Sequence, residues 1–200
     1  MIIRKTFKYC LRPNRETSEF FARFAGSCRW VYNRGLEQRK RAWEEEKRSI
    51  TLYSQNNELT NLKKQEETSW LKEVHSQILQ QSLSDLDKAY AAFFSRVKSG
   101  TQAPGYPRFR CKGDGDSFRY PQGVKVSEDR VFLPKIGWVR FRKSREVEGC
   151  IKQTTVIREG DRWYVCFSCE IDVDTPPPSP SPSIIGIVRA HTVSRTHPST

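Results

Sequence analysis

Two short segments of this chain combine basic, aromatic and amide side chains. Residues 104–112 alternate arginine or lysine with aromatic rings, and residues 28–34 place arginines beside an aromatic ring and an amide near one helical surface. Arginine and lysine neutralise phosphates, and aromatic rings stack on unpaired bases. Together with Arg41 farther along the chain, and with Arg119 and Tyr120 after the second segment, the pattern predicts one nucleic-acid-binding surface. Its residues are Arg29, Tyr32, Asn33, Arg34, Arg41, Arg108, Phe109, Arg110, Lys112, Arg119 and Tyr120.

The aromatic rings in and after residues 104–112 have a second interpretation. Phe109, Phe118 and Tyr120 could fill a hydrophobic core, and the basic residues around them would then form a solvated rim. Each ring by itself fits both interpretations about equally. The cluster as a whole favours binding, with Tyr32, Phe109 and Tyr120 as the rings expected to stack on bases.

The positive charge of the chain is concentrated in two separate segments. The net charge is +12, and the excess lies in residues 1–50 and 101–150, whereas residues 51–100 and 151–200 are each balanced. If the two basic segments meet in the fold, they form one basic surface, which favours a polyanion such as nucleic acid. The alternative is that the charge serves only solubility.

Composition argues against a membrane protein and against a metal site. No window approaches the roughly 18 apolar residues of a membrane span, so we expect a cytoplasmic protein with no membrane partner. Cys166 and Cys169 have the spacing of half a zinc knuckle, but no second pair has that spacing. In a strand, residues three apart face opposite ways. We therefore expect no metal site and no cofactor in this chain.

The hydrophobic pattern changes period twice along the chain. Residues 1–12 alternate as in a half-buried strand, residues 13–100 show helical spacing, and residues 101–174 show short strands separated by glycine and proline. The first strand is too short to stand alone and should pair with the later ones. We predict an α+β fold, in which residues 1–12 and 101–174 form a small antiparallel β-barrel and residues 13–100 an inserted helical bundle.

Within the helical block, several positions are expected to face the core or to cap a helix. One apolar stripe is Phe20, Phe24, Cys28 and Val31, widened by Phe21, and Leu59 and Leu62 point inward from a middle segment. Ser69 should cap a helix that begins at Trp70. The clearest helix carries a second stripe, Leu79, Leu83, Leu86, Tyr90, Phe93 and Val97.

The last part of the chain has a different composition. Residues 175–183 are rich in proline and serine, as expected for a linker. Residues 184–188 then begin a new apolar strand, and the remaining residues show no strand pattern. We expect residues 184–200 to be the remnant of a second domain followed by an unstructured tail.

Five spaced motifs resemble one family. They lie at residues 28–33, 67–74, 86–94, 107–110 and 133–137, and they are similar to the front half of the TnpB/OrfB proteins of insertion sequences. The resemblance implies a wedge β-barrel with an inserted recognition lobe, followed in the family by a RuvC-like nuclease domain with a zinc finger. It also implies two partners: a guide RNA derived from the transposon end, and double-stranded DNA that carries a short adjacent motif.

The resemblance also carries over to individual positions. The family's first RuvC strand ends in an aspartate that binds Mg²⁺, and this chain has Val188 there. Valine offers no oxygen ligand, so we expect no catalytic residue and no nuclease activity. Amide side chains pair well with adenine in the major groove. The stretches that match the family's motif-reading positions contain Tyr53, Asn56, Gln77, Gln80 and Gln122, and the four amides are the expected base readers. The alternative is that they are only exposed polar positions.

Three other functions remain open from the sequence. The chain could be a DNA-binding transcriptional repressor or an inactive pseudogene product, and both need no catalytic aspartate. It could also be a nuclease that a partner chain completes in trans. The preferred hypothesis is a truncated TnpB-like protein of a prokaryotic cytoplasm, associated with the nucleoid, that binds guide RNA and target DNA without cutting.

Overall fold

The fold combines three helices with one antiparallel sheet. The structure is a computed structural model that describes residues 1–100, 103–113 and 115–173. Its elements are β1 (Ile2–Arg12), α1 (Arg15–Glu46), α2 (Leu52–Leu62), a short 3-10 helix (Ser69–Lys72), α3 (Ser76–Lys98), β2 (Ser117–Tyr120), β3 (Lys125–Ser127), β4 (Arg130–Leu133), β5 (Gly137–Phe141), β6 (Cys150–Glu159) and β7 (Arg162–Asp172). The predicted α+β class is confirmed.

The first strand lies near the centre of the sheet. The strand order is β2-β6-β7-β1-β5-β4-β3, and β1 pairs with β7 over residues 2–10 and with β5 over residues 11–12. The predicted pairing of the opening segment with later strands is therefore confirmed. The sheet is not closed, because its edge strands β2 and β3 do not pair with each other and are only four and three residues long. The predicted barrel is not confirmed.

Helix α1 begins and ends at recognisable caps. The side chain of Asn14 accepts a hydrogen bond from the Thr17 N–H at 2.7 Å, and Lys47 in the left-handed conformation ends the helix. The predicted stripe is buried at Phe24, Cys28 and Val31, together with Phe21, while Phe20 is half-buried. This face joins the helix to the sheet.

Helices α2 and α3 pack beside α1, with one close approach. A Cβ atom at Gly35 would lie 2.9 Å from Leu83 Cδ2 and 3.0 Å from Leu86 Cδ2, so a larger residue there would force these buried leucines to shift. The predicted core positions Leu59, Leu62, Leu79, Leu83 and Leu86 are all buried. The second half of the α3 stripe is different: Tyr90 and Phe93 are only half-buried and Val97 is exposed, because the described residues place no further helix against that end.

The segment between α2 and α3 corrects one prediction. Ser69 does not cap a helix, because it is the first residue of the 3-10 helix, and Thr68 at the cap position makes no side-chain capping bond.

Among the described helices, none is long and apolar enough to cross a membrane.

Helices and sheet share one hydrophobic core. Phe21 contacts Trp163 of β7 with ring centroids 5.3 Å apart, and Phe24 contacts Phe118 of β2 at 5.6 Å. Strands β6 and β7 form a hairpin that turns at Gly160. The predicted linker, residues 175–183, and the predicted remnant, residues 184–200 with Val188, lie outside the described residues.

Candidate nucleic-acid interface

An open cleft of about 480 Å³ runs along the outer side of α1. Its aromatic walls are Trp30 of α1, Trp70 of the 3-10 helix and Phe109 of the loop that precedes β2. The rings of Trp30 and Trp70 meet edge to face at 5.4 Å, and Phe109 is 50% exposed. We name this site the α1 cleft; it is lined by Gly26, Arg29, Trp30, Asn33, Arg34, Glu37, Trp70 and Phe109.

Asn33 fixes one wall of the α1 cleft. Its Nδ2 donates to the backbone carbonyl of Arg110 at 2.9 Å, and its Oδ1 accepts from the backbone N–H of Arg110 at 2.8 Å. Both polar atoms of the amide are thereby used by the loop. Asn33 therefore ties α1 to the loop that carries Phe109, and its contact with a base stays a prediction.

The two arginines of the α1 cleft differ in availability. Arg29 is mostly buried and donates to Asp116 at 2.6 Å, so its charge is compensated inside the protein. Arg34 is half-exposed, lies over the Trp30 ring at 5.6 Å and is 3.5 Å from Glu58. Because an exposed ion pair is weak, the Arg34 guanidinium is the cation of the cleft best placed for a phosphate.

A second group of predicted arginines is used by the fold. Asp85 of α3 accepts from Arg119 of β2 and lies 3.8 Å from Arg110 of the loop, so one carboxylate ties three segments together. The Arg110 guanidinium also lies over the Tyr32 ring at 3.9 Å. We name this group the Asp85 junction. These arginines are partly buried and paired with a carboxylate, so they hold helices, loop and sheet together.

Two predicted stacking rings are corrected by their burial. Tyr120 is fully buried and donates from its hydroxyl to the Pro134 carbonyl at 2.9 Å, and burial raises the pKa of its phenol. Tyr32 is also buried, beneath Arg110, and burial again raises its pKa. A base needs an exposed ring face, which neither tyrosine offers. For Tyr120 and Phe118 the core interpretation is correct, and only Phe109 stays exposed.

The remaining predicted basic residues lie on the surface. Arg41 is exposed and lies 4.0 Å from Glu45 on the next turn of α1. Arg108 and Lys112 are exposed on the loop, and no described carboxylate lies within 4 Å of either. Their role in binding stays a prediction.

The predicted motif-reading residues fall on three regions: the start of α3, the turn after β2, and α2. Gln77 and Gln80 lie in the first turns of α3, and Gln122 lies in the turn after β2. The His75 ring, just before α3, lies 6.2 Å from the Tyr120 ring at the end of β2, so the start of α3 and the turn after β2 are neighbours. On α2, Tyr53 is exposed, whereas the buried Oδ1 of Asn56 has no hydrogen-bond partner among the described residues.

The chain is similar to known proteins, both in its first strand and helix and over most of its length. Residues 1–48 match the family model HTH_OrfB_IS605, described as a helix-turn-helix domain. The chain is 41% identical over 171 residues, or 84% of its length, to InsQ of Escherichia coli (strain K12), whose name describes a candidate RNA-guided DNA endonuclease. Residues 1–48 are therefore similar to the helix-turn-helix domain of OrfB proteins.

A second relative carries the same kind of name. A Streptomyces pristinaespiralis protein, also named as a candidate RNA-guided DNA endonuclease, is 33% identical over 174 residues. The chain spans about two fifths of the length of both relatives. The residues that match the helix-turn-helix model contain β1 and α1, so Arg29, Asn33, Arg34 and Arg41 lie inside the matched region.

Sequence reasoning missed two walls of the α1 cleft, Trp30 and Trp70. Trp30 precedes Arg34 by four residues, which places both on one face of a helix, so the spacing alone could have indicated it. Trp70 is far from Trp30 in sequence, and only the packing of the 3-10 helix against α1 brings it there.

The cysteines do not form a metal site in the described part of the chain. β7 places Cys166 and Cys169 on opposite faces, with Cys169 buried and Cys166 half-buried. Within residues 1–100, 103–113 and 115–173, no group of three or more His, Cys, Asp or Glu side chains is placed to hold a metal ion.

Proposed function

We propose that this chain is the nucleic-acid-binding N-terminal part of a TnpB-like protein and that it binds guide RNA and target DNA. The α1 cleft carries this proposal. It combines three exposed or half-exposed aromatic rings with an available arginine, inside and beside the region that matches the helix-turn-helix model. The relatives' names, which describe candidate RNA-guided DNA endonucleases, support the same partners.

The cleft chemistry suits an unpaired base or a strand end. Trp30, Trp70 and Phe109 offer ring faces and edges, and stacking of one base is worth about 1–3 kcal/mol by alanine substitution. Arg34 at the rim supplies the charge for the adjoining phosphate. The fixed loop at Asn33 holds the aromatic wall before the ligand arrives, which lowers the entropy lost on binding.

Substitutions in the cleft test the proposal. We expect Phe109→Ala to weaken binding of a labelled single-stranded RNA by about tenfold, because one stacking contact is lost. Arg34→Gln should weaken it about threefold and lower the salt dependence. Fluorescence anisotropy from 50 to 200 mM salt measures both.

Arg15→Gln is the matched control for these variants. Arg15 is an exposed arginine of the same helix, paired with Glu19 four residues on and outside the cleft. Equal weakening by Arg15→Gln and Arg34→Gln would mean that charge alone, and not the cleft, determines binding. Melting curves for each variant separate lost binding from lost folding.

We also propose that the chain binds without cutting, on the basis of Val188 at the position where the family resemblance places a metal-binding aspartate. Incubation with guide RNA, matched duplex DNA and Mg²⁺ should leave the DNA intact. A specific product formed by the purified chain alone would contradict this part of the proposal and leave the binding part standing.

A further inference from the structure

Three arginines face one another across three adjacent strands. The sheet register sets Arg12 of β1 opposite Arg140 of β5, and Arg140 opposite Arg130 of β4. All three side chains are exposed. We name them the arginine row. Side chains directly opposite in an antiparallel pair have Cβ atoms only about 5 Å apart, so three positive charges are concentrated in a narrow band.

The arginine row points away from the hydrophobic core. Its neighbours along the strands, Leu11, Val139, Phe141 and Val131, are all buried. Because successive side chains in a strand face opposite sides, burial of these neighbours directs the arginines to solvent. The row belongs to the outer face of the sheet and contributes nothing to the α1 cleft.

Like charges directly opposite each other destabilise a sheet, so the row needs a compensating partner. No described carboxylate lies within 4 Å of Arg12 or Arg140, and Arg130 has only its neighbour Asp129, at 3.8 Å. The other half of β1 is built differently. There Arg4 lies opposite Glu170, which pairs with Arg4 and with Lys152 at 3.1 Å each.

An aromatic pair occupies the next position on the same face. Phe132 of β4 lies opposite Trp138 of β5, with ring centroids 5.5 Å apart. Each is two residues from an arginine of the row, about 7 Å along its strand. Trp138 is 52% exposed, and Lys125 of β3 lies opposite Phe132. The face therefore sets exposed aromatic surface beside unpaired cations.

We infer that this face binds an unpaired stretch of nucleic acid, with phosphates on the arginine row and a base on Trp138. Basic grooves with adjacent aromatic platforms bind single strands in this way. The ligand supplies the negative charge that the protein does not, which accounts for a row that the fold alone disfavours. The inference rests on the proposed function and extends it to a second surface. RNA and DNA share this chemistry.

The test uses the full chain and three labelled probes: a mixed-sequence 15-nucleotide RNA, the same sequence as single-stranded DNA, and duplex DNA. Arg140→Gln should weaken single-strand binding about fivefold and reduce the salt slope by roughly 0.7, the value for one lost phosphate contact on a single strand. Trp138→Ala should weaken it about fivefold as well. Arg4→Gln is the matched control, since Arg4 is an exposed arginine of β1 that has a carboxylate partner.

The outcomes separate this surface from the α1 cleft. Loss of affinity in Arg140→Gln, with Arg4→Gln unchanged, supports the arginine row. If cleft variants weaken binding and Arg140→Gln does not, the row is overturned and the proposed function stands. If only row variants weaken binding, the cleft is wrong and the row stands. Duplex binding as sensitive to Trp138→Ala as single-strand binding overturns the stacked base, and absence of binding to all three probes overturns both surfaces.

Stability provides a second, independent measurement. Removing one of three mutually repelling charges should raise the melting temperature of Arg140→Gln in low salt, and the gain should shrink in high salt because screening already weakens the repulsion. A lower melting temperature would show that the row stabilises the fold, and would overturn the inference. Comparing the probes as RNA and as DNA then shows which strand the surface prefers.

Discussion

The arginines of the Asp85 junction and those of the arginine row are the same residue type in opposite surroundings. Arg110 and Arg119 meet a carboxylate where helix, loop and sheet join, and Arg119 is only 19% exposed. Arg12 and Arg140 lie opposite each other on the exposed face of the sheet. A basic residue therefore has no fixed role in this protein. Its nearest charged neighbour decides whether it holds the fold together or remains available to a ligand.

The largest expected effect comes from removing the carboxylate of the junction. Asp85→Ala should lower the free energy of unfolding by about 2 kcal/mol, because it leaves the partly buried Arg119 without its counter-charge. The Nε of Arg119 already lacks a hydrogen-bond partner among the described residues. Urea denaturation followed by far-UV circular dichroism measures the loss.

A matched acidic residue provides the control. Asp161→Ala removes a fully exposed carboxylate 4.0 Å from Arg158, and exposed pairs contribute little. We expect its unfolding free energy to stay within about 0.5 kcal/mol of the parent. Equal losses in the two variants would remove the distinction between junction and surface.

A smaller effect of opposite sign is expected in the arginine row. Arg140→Glu would place a carboxylate between Arg12 and Arg130, and two cross-strand pairs of opposite charge should raise the unfolding free energy by about 1 kcal/mol. The same variant should lose single-strand binding by more than Arg140→Gln does. A variant that is both less stable and equally active in binding would reverse our view of this face.

The smallest expected effect concerns His75, which lies near two lysines. Burial, followed by the nearby Lys135 and Lys63, lowers the pKa of His75 below its usual 6.5. A group with a depressed native pKa binds its proton more readily when unfolded, so stability should fall as pH drops below about 6.5. His75→Asn should flatten this decline in urea titrations between pH 8 and pH 5. An unchanged slope would mean that other groups cause it.

Sequence reasoning succeeded where the period alone decides the environment. Alternation over residues 1–12 predicted a half-buried strand, and Phe7, Tyr9 and Leu11 of β1 are all buried. Helical spacing likewise predicted the buried face of α1. These patterns repeat over many residues, so one misread position does not change the conclusion.

The failures concern residues whose environment depends on a distant partner. Phe109 and Phe118 both sit in basic, aromatic sequence, but only Phe118 lies in a strand, which pairs with β6 and turns its ring into the core. Alternation over residues 117–120 was a signal for that strand. Nothing local distinguishes Arg12 from Arg4, because only the register of the sheet shows that one faces an arginine and the other a glutamate.

The central position of β1 in the sheet has a consequence for folding during synthesis on the ribosome. The hydroxyls of Thr6 and Ser168, on paired strands, lie 3.4 Å apart although 162 residues separate them. At a synthesis rate of about 5–20 residues per second, the ribosome takes roughly 8–30 s to deliver the partner strand. Until then, the apolar face of β1 has no partner strand in the nascent chain. Chaperone capture of ribosome-bound intermediates should therefore centre on residues 7–11.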